Sequence, residues 1–186
     1  MNDSPDLSKS TIGTERGLLD GSVPIVGRTS AMITIGIDNG TSGSWSVLGN
    51  GWVYFAPVPT KMSLLGRMER RITRIDVPPL LQTLKKSKGD RAYVERPFTG
   101  RFLNAVLPAQ RAFEAVLIAL ETAGVPYEVI DSKVWQKPML GAVKGSENLK
   151  RASMELGIKL YPQLTYQITK HGDADGLLIA HYFSYR

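Results

Sequence analysis

The chain contains no cysteine. That excludes disulfides and thiolate metal sites, and it suits a reducing compartment. It also lacks an apolar run of about 18 residues, the length needed to cross a bilayer, so no membrane partner is expected. A short apolar core behind basic residues, the mark of a secretory signal, is missing from the N-terminus. A transit peptide would avoid acids, yet Asp3, Asp6, Glu15 and Asp20 fall in the first twenty residues. These absences point to a cytoplasmic location. What is present is an ordinary globular composition: 186 residues, 42% apolar and 22% charged, enough for one domain with a full core.

Charge is unevenly spread. The net charge is +6, and residues 61–91 hold nine basic against three acidic side chains, so this one segment carries the whole excess. A basic patch of this kind suits a polyanion, usually nucleic acid, although a solvated surface would also tolerate it.

Residues 1–30 are rich in Ser, Gly, Thr and Asp and read as a flexible tail, with partial order around Val23-Pro24-Ile25-Val26. Residues 31–186 form the domain. Strands are expected over 32–38, 44–49 and 52–56, joined by Asn39-Gly40 and Asn50-Gly51 as an antiparallel meander. The stretch 60–76 reads as loop plus a short helix. Val77-Pro78-Pro79 opens a helix through Lys86. A strand over 92–95 and a helix over 106–123 follow, the latter ended by Gly124. Beyond a strand over 127–130 come a short helix through Trp135, a helix capped by Ser146 and closed by Pro162, and a last helix from near Asp173. The fold class is α/β: a mixed five-stranded sheet, its first three strands an antiparallel meander, with helices on both faces.

Three acids fall at element ends. Asp38 closes the first strand, Glu95 closes the fourth, and Asp175 lies in the first turn of the last helix. Parallel strands share an edge where α/β proteins keep their sites, so Asp38 and Glu95 can be neighbours. Clustered carboxylates repel unless a cation lies between them. An all-oxygen set selects Mg²⁺ or Mn²⁺. Two such ions about 4 Å apart activate water and stabilise the leaving oxygen of a phosphodiester. His171 and Asp173 are further candidates. On one helix His171 and Asp175 would share a face, and Asp173 would point elsewhere. The plainer roles are a turn for Asp38, a surface pair with Arg96 for Glu95, and a helix cap for Asp173.

The motifs Ile35-Gly36-Ile37-Asp38, Val94-Glu95-Arg96-Pro97 and Asp173-Ala174-Asp175-Gly176-Leu177-Leu178-Ile179-Ala180, with Lys144-Gly145-Ser146-Glu147-Asn148-Leu149-Lys150 before the penultimate helix, resemble RuvC-type Holliday junction resolvases of the ribonuclease H-like superfamily. The similarity spans residues 31–186 and leans to the phage and organellar branch. It implies a Mg²⁺- or Mn²⁺-dependent endonuclease that cuts four-way DNA junctions as a homodimer, in a bacterial cell or encoded by its phage, without a nucleotide cofactor. Asp38, Glu95 and Asp175 match the acidic ligand positions. Gly172 stands where relatives carry a fourth ligand, so either His171 or Asp173 substitutes. Phe98 resembles the aromatic that stacks on junction bases, and Lys144 and Lys150 resemble basic residues near the scissile strand. Arg70, Arg71, Arg74 and Arg101 are candidate phosphate contacts, and helix 106–123 is the candidate dimer interface. Another nuclease of this superfamily, acting on branched DNA or RNA–DNA hybrid, is the alternative. Gly36-Ile37-Asp38-Asn39-Gly40-Thr41 also looks like the phosphate loop of actin-like ATPases and sugar kinases, but that architecture needs two such domains and leaves Glu95 and the last helix unexplained. A DNA-binding adaptor with a degenerate site would bind DNA better without the acids.

Overall fold

The computed structural model describes residues 19–25, 32–65, 70–97, 99–100 and 103–186. Six strands form the main sheet: β1 (Val23–Pro24), β2 (Thr34–Ile37), β3 (Ser44–Gly49), β4 (Trp52–Pro57), β7 (Arg91–Glu95) and β8 (Tyr127–Ile130). Their order is β1-β4-β3-β2-β7-β8. The meander β2-β3-β4 is antiparallel, and β2, β7 and β8 run parallel. The expected five strands are all there. The sixth, β1, pairs with β4 through the Val23-Pro24 segment already marked for order, and Leu19 beside it is buried.

The described residues also form six α-helices: α1 (Val77–Ser87), α2 (Leu103–Ala123), α3 (Ser132–Leu140), α4 (Ser146–Leu160), α5 (Thr165–His171) and α6 (Asp175–Ser184). They cover both faces of the sheet. One core joins Ile35, Ile37, Trp45, Val47 and Val94 to Leu80 and Leu84 of α1 and Val116 and Leu120 of α2. The other joins Leu48, Val53 and Phe55 to Trp135, Leu164, Ile168 and the Leu177–Ile179 run of α6. Both faces of β3 are therefore buried, which its alternating Trp45 and Val47 against Ser44, Ser46 and Leu48 allows.

Several local expectations are corrected. Where a loop and a short helix were expected over 60–76, the described residues form two strands, β5 (Thr60–Leu65) and β6 (Arg70–Ile75), paired antiparallel as a hairpin in a separate two-stranded sheet. The hairpin stands off the core, so neither of its faces is uniformly apolar and the period of two is hidden. The link from β2 to β3 spans residues 38–43 rather than two, closed by bonds from the N–H of Asp38 to the Ser44 carbonyl (2.9 Å) and from that of Gly43 to Gly40 (3.2 Å). Helix α3 runs on to Leu140, and α4 starts at Ser146 with Gly145 as its cap. A 3₁₀ turn over Pro162–Leu164 and α5 fill the stretch before the last helix, which begins at Asp175. No helix among the described residues is long and apolar enough to cross a membrane.

Candidate functional site

Register brings the first two acids together. Ile37 is the partner of Val94 on the parallel neighbour, so the next residues on each strand, Asp38 and Glu95, sit side by side at the sheet edge. Asp38 shares a face with Gly36, two residues back. That face is where α6 lands. A Cβ at Gly36 would lie 2.3 Å from both the Ala180 nitrogen and the Gly176 carbonyl oxygen, and one at Gly176 would lie 2.4 Å from the Ser44 carbonyl oxygen. The helix thus rests directly on the strand backbones. Ser46 Oγ donates to the Gly176 carbonyl (2.9 Å), and the Gly176 N–H donates to Ser44 Oγ (3.1 Å). This seam holds the first residue of α6, Asp175, over the end of β2.

Asp38, Asp173 and Asp175 each offer a carboxylate oxygen, all within 4.8 Å of one another. Gly172 takes a left-handed conformation (φ +99°) and ends α5 at His171. His171 and Asp175 therefore lie on different helices, and the shared face expected from their spacing does not exist. The break turns Asp173 inward, where it is buried. It also receives a 3.4 Å bond from the Asp175 N–H, so it supports the start of α6 as well as joining the cluster. His171 Nε2 lies 3.3 Å from Asp173 Oδ1 without hydrogen-bond alignment. Its ring meets Phe55 edge-on, with centroids 5.7 Å apart.

Glu95 is not a surface partner of Arg96. Arg96 pairs with Asp131 at 3.0 Å, while Glu95 Oε2 accepts a 2.7 Å bond from the indole Nε1–H of buried Trp135. Ser153 on α4 donates its hydroxyl hydrogen to Asp175 Oδ1 and accepts from the Ala174 N–H (3.1 Å). Sequence reasoning missed Trp135 and Ser153. The only available signal was spacing on α4, where Lys150, Ser153 and Gly157 fall at i, i+3 and i+7 and so share a face. Gly157 lets that face close on α6, since a Cβ there would meet Ala174 Cβ at 2.4 Å.

Burial and mutual repulsion dominate the electrostatics. Burial holds Asp38 well above the usual carboxylate range, and Asp175, Glu95 and Asp173 add to the rise while Lys150 opposes it. Glu95 is pushed up to about 7, first by burial, against the lowering effect of the Trp135 bond. Asp175 is pushed up to about 6 by burial, and the Ser153 bond, Lys150 and His171 pull it down. Such a cluster is under tension that a divalent cation relieves. The donor set fits a hard ion, being carboxylate oxygens with an imidazole alongside. Among the described residues, the buried side-chain atoms without a hydrogen-bond partner are Asn39 Oδ1 and His171 Nε2, and both belong to residues bordering the acids.

The other candidates lie further out. Lys150 is close enough to act on Asp38 and Asp175. Lys144 is exposed in the loop before α4, and its carbonyl accepts from Asn148 Nδ2 (3.0 Å). Arg71 and Arg74 are exposed on β6, and Arg70 lies on the same strand. Phe98 and Arg101 lie outside the described residues. A cavity of about 220 Å³ sits away from the acids, between the hairpin, α2 and Thr41.

No protein-family model matches the chain, and no curated protein matches its sequence. Among solved structures it is similar to RuvC of Thermus thermophilus in complex with a Holliday junction substrate, with a TM-score of 0.51 and 19% identity over 83% of this chain and 96% of that one. A second Thermus thermophilus RuvC structure matches at a TM-score of 0.45 and 14% identity, over 82% and 98% of the two chains. The first likeness shows the fold, that of RuvC and of the ribonuclease H-like type expected from the motifs.

Proposed function

We propose that this chain is a structure-selective DNA endonuclease that resolves four-way junctions by divalent-metal-dependent hydrolysis of phosphodiester bonds. The observation that carries the reading is the convergence of Asp38, Asp173 and Asp175 within 4.8 Å at the edge of a RuvC-like sheet, with Glu95 coupled to them through burial and charge. The similar Thermus thermophilus structure holds a Holliday junction substrate, which supports branched DNA as the substrate here.

In this reading Asp38 is the central ligand, Asp175 and Glu95 flank it, and Asp173 takes the fourth position. Bound Mg²⁺ or Mn²⁺ supplies Lewis-acid polarisation of the phosphate and a lower pKa for the attacking water. The chain's own groups prepare that site. Trp135 fixes the Glu95 carboxylate in one orientation and favours its ionised form, and Ser153 does the same for Asp175. His171, next to Asp173, orients water or completes the ligand set. Lys150 balances the negative charge when phosphate enters, and Lys144, Arg71 and Arg74 track the DNA backbone. Symmetric cutting of a junction needs two sites, which a twofold dimer supplies. Leu107 and Ile118 of α2, 55% and 48% exposed and eleven residues apart, offer an apolar face for it.

Cleavage of a synthetic four-way junction under Mg²⁺ titration tests substrate and metal together. Wild type should cut in Mg²⁺ and stop in chelator, and Asp38→Asn should bind without cutting. Retained cutting by Asp38→Asn would refute the metal role. Equal cutting of RNA–DNA hybrid would move the substrate to the alternative class.

A further inference from the structure

The hairpin β5-β6 is not part of the main sheet, and its outer half is not covered by the domain. Its root is firmly set. Ile75 is buried, the Asp76 N–H donates to the Pro59 carbonyl (2.8 Å), and Lys61 pairs with Asp76 at 2.9 Å. Directly opposed residues of an antiparallel pair share a face. On the Ile75 face the successive pairs are Thr60–Ile75, Met62–Thr73 and Leu64–Arg71. Ile75 is buried at the root of that face, but beyond it Met62 and Leu64 are each 65% exposed, with Arg71 directly opposite Leu64.

We infer that this hairpin is a DNA-binding arm: it lays the Met62–Leu64 face against the bases of a duplex arm beside the branch, with Arg71 on the flanking phosphate. The inference rests on the proposed endonuclease function and extends it to a surface. Three observations favour DNA as the occupant. Residues 60–75 hold five basic side chains against one acidic, +4 of the chain's net charge of +6. Thr41 of the β2–β3 link lines the cavity at the root with Thr73 and Arg74 of the hairpin, and the Val58 N–H donates to the Gly43 carbonyl (2.9 Å), so the arm leaves the sheet at the end where β2 delivers Asp38. Two copies meeting symmetrically through this face would bring Arg71 toward its own kind, whereas phosphate complements it. A two-stranded ribbon fits a DNA groove, and Met and Leu are side chains that wedge against base steps.

The two parts of the arm have separable signatures. Apolar contact with bases displaces no condensed counterions, while a phosphate contact does. Binding of a fluorescent four-way junction is measured in Ca²⁺ over a range of salt. The double variant Met62→Thr with Leu64→Thr should bind about tenfold more weakly with the salt slope unchanged. Arg71→Ala should weaken binding and reduce the slope of log K against log salt by about 0.9. Threonine suits exposed strand positions, so both variants should keep the wild-type circular dichroism spectrum. The swap Met62→Leu with Leu64→Met should restore affinity. A threonine variant that binds as wild type does overturns the arm and leaves the nuclease reading standing. Wild type that binds no DNA at all overturns both. A threonine variant that loses a dimer in sedimentation overturns the arm by showing that a second copy covers the face.

Discussion

Neutralising Asp38 should make the metal-free protein more stable while it abolishes cutting. Asp175 has its carboxyl raised from an ordinary 3.8 to about 6. At 1.36 kcal/mol per unit, its ionisation costs the fold on the order of 3 kcal/mol. Asp38 is more deeply enclosed and is held well above its usual range by burial and by three acids. Replacing Asp38 with asparagine removes its share of this cost and leaves an amide that must still be desolvated. In chelator at pH 8 the variant should therefore melt above wild type. The sign depends on pH. Between about pH 4, where the unfolded acids ionise, and about pH 7, the folded protein holds more protons than the unfolded chain, so wild-type stability falls as pH rises. The advantage of Asp38→Asn should therefore shrink as pH falls toward the range where unfolded carboxylates protonate and grow as pH rises. Excess Mg²⁺ should reverse the ranking, because only wild type gains binding energy from it. Melts in chelator and in Mg²⁺ across pH check all three statements. If Asp38→Asn melts at or below wild type in chelator at pH 8, the acids are not in tension and the case for a cation loses its physical basis.

Trp135→Phe keeps an aromatic ring but removes the donor that favours ionised Glu95. The acid limb of the pH–rate profile should move to higher pH, and Mg²⁺ should bind about tenfold more weakly. Ser153→Ala should act likewise through Asp175 and cost about 1–2 kcal/mol in a denaturant titration, because the Ala174 N–H loses its partner. Gly36→Ala should be far worse than its one added methyl suggests. Backbone atoms of α6 occupy that space, so urea unfolding should show a loss of about 3 kcal/mol, with cleavage lost as Asp175 is pushed away.

How far the sequence could be read depended on where each signal lives. Asp38 and Glu95 stood out because an acid at the end of an apolar strand is visible locally, and the parallel register then put them side by side. The choice between His171 and Asp173 was not legible. Their placement turns on one left-handed glycine, Gly172, which ends α5 at His171, so the helical spacing weighed for His171 and Asp175 does not apply. The hairpin was misread because a strand pair without a uniformly apolar face has no periodic signature. Trp135 and, beyond its shared face with Lys150 and Gly157, Ser153 went unmarked for another reason. Their hydrogen bonds reach 40 and 22 residues along the chain, and nothing local marks an indole or a hydroxyl as the partner of a distant carboxylate.

The contact of α6 with the sheet has a consequence for how the protein tolerates change. Where side chains fill the gap between helix and strand, the gap widens or narrows with every exchange of leucine for valine. At Gly36 and Gly176 backbone meets backbone, so the distance there is set by the van der Waals radii of backbone atoms, which no side-chain exchange alters. The carboxylates inherit that fixed dimension. Leu177, Leu178 and Ile179 can drift among apolar types, the outer core can repack, and the spacing of Asp38 and Asp175 stays calibrated. The carboxylate edge is thereby insulated from the ordinary wear of sequence divergence, at the expense of two positions that admit no side chain at all.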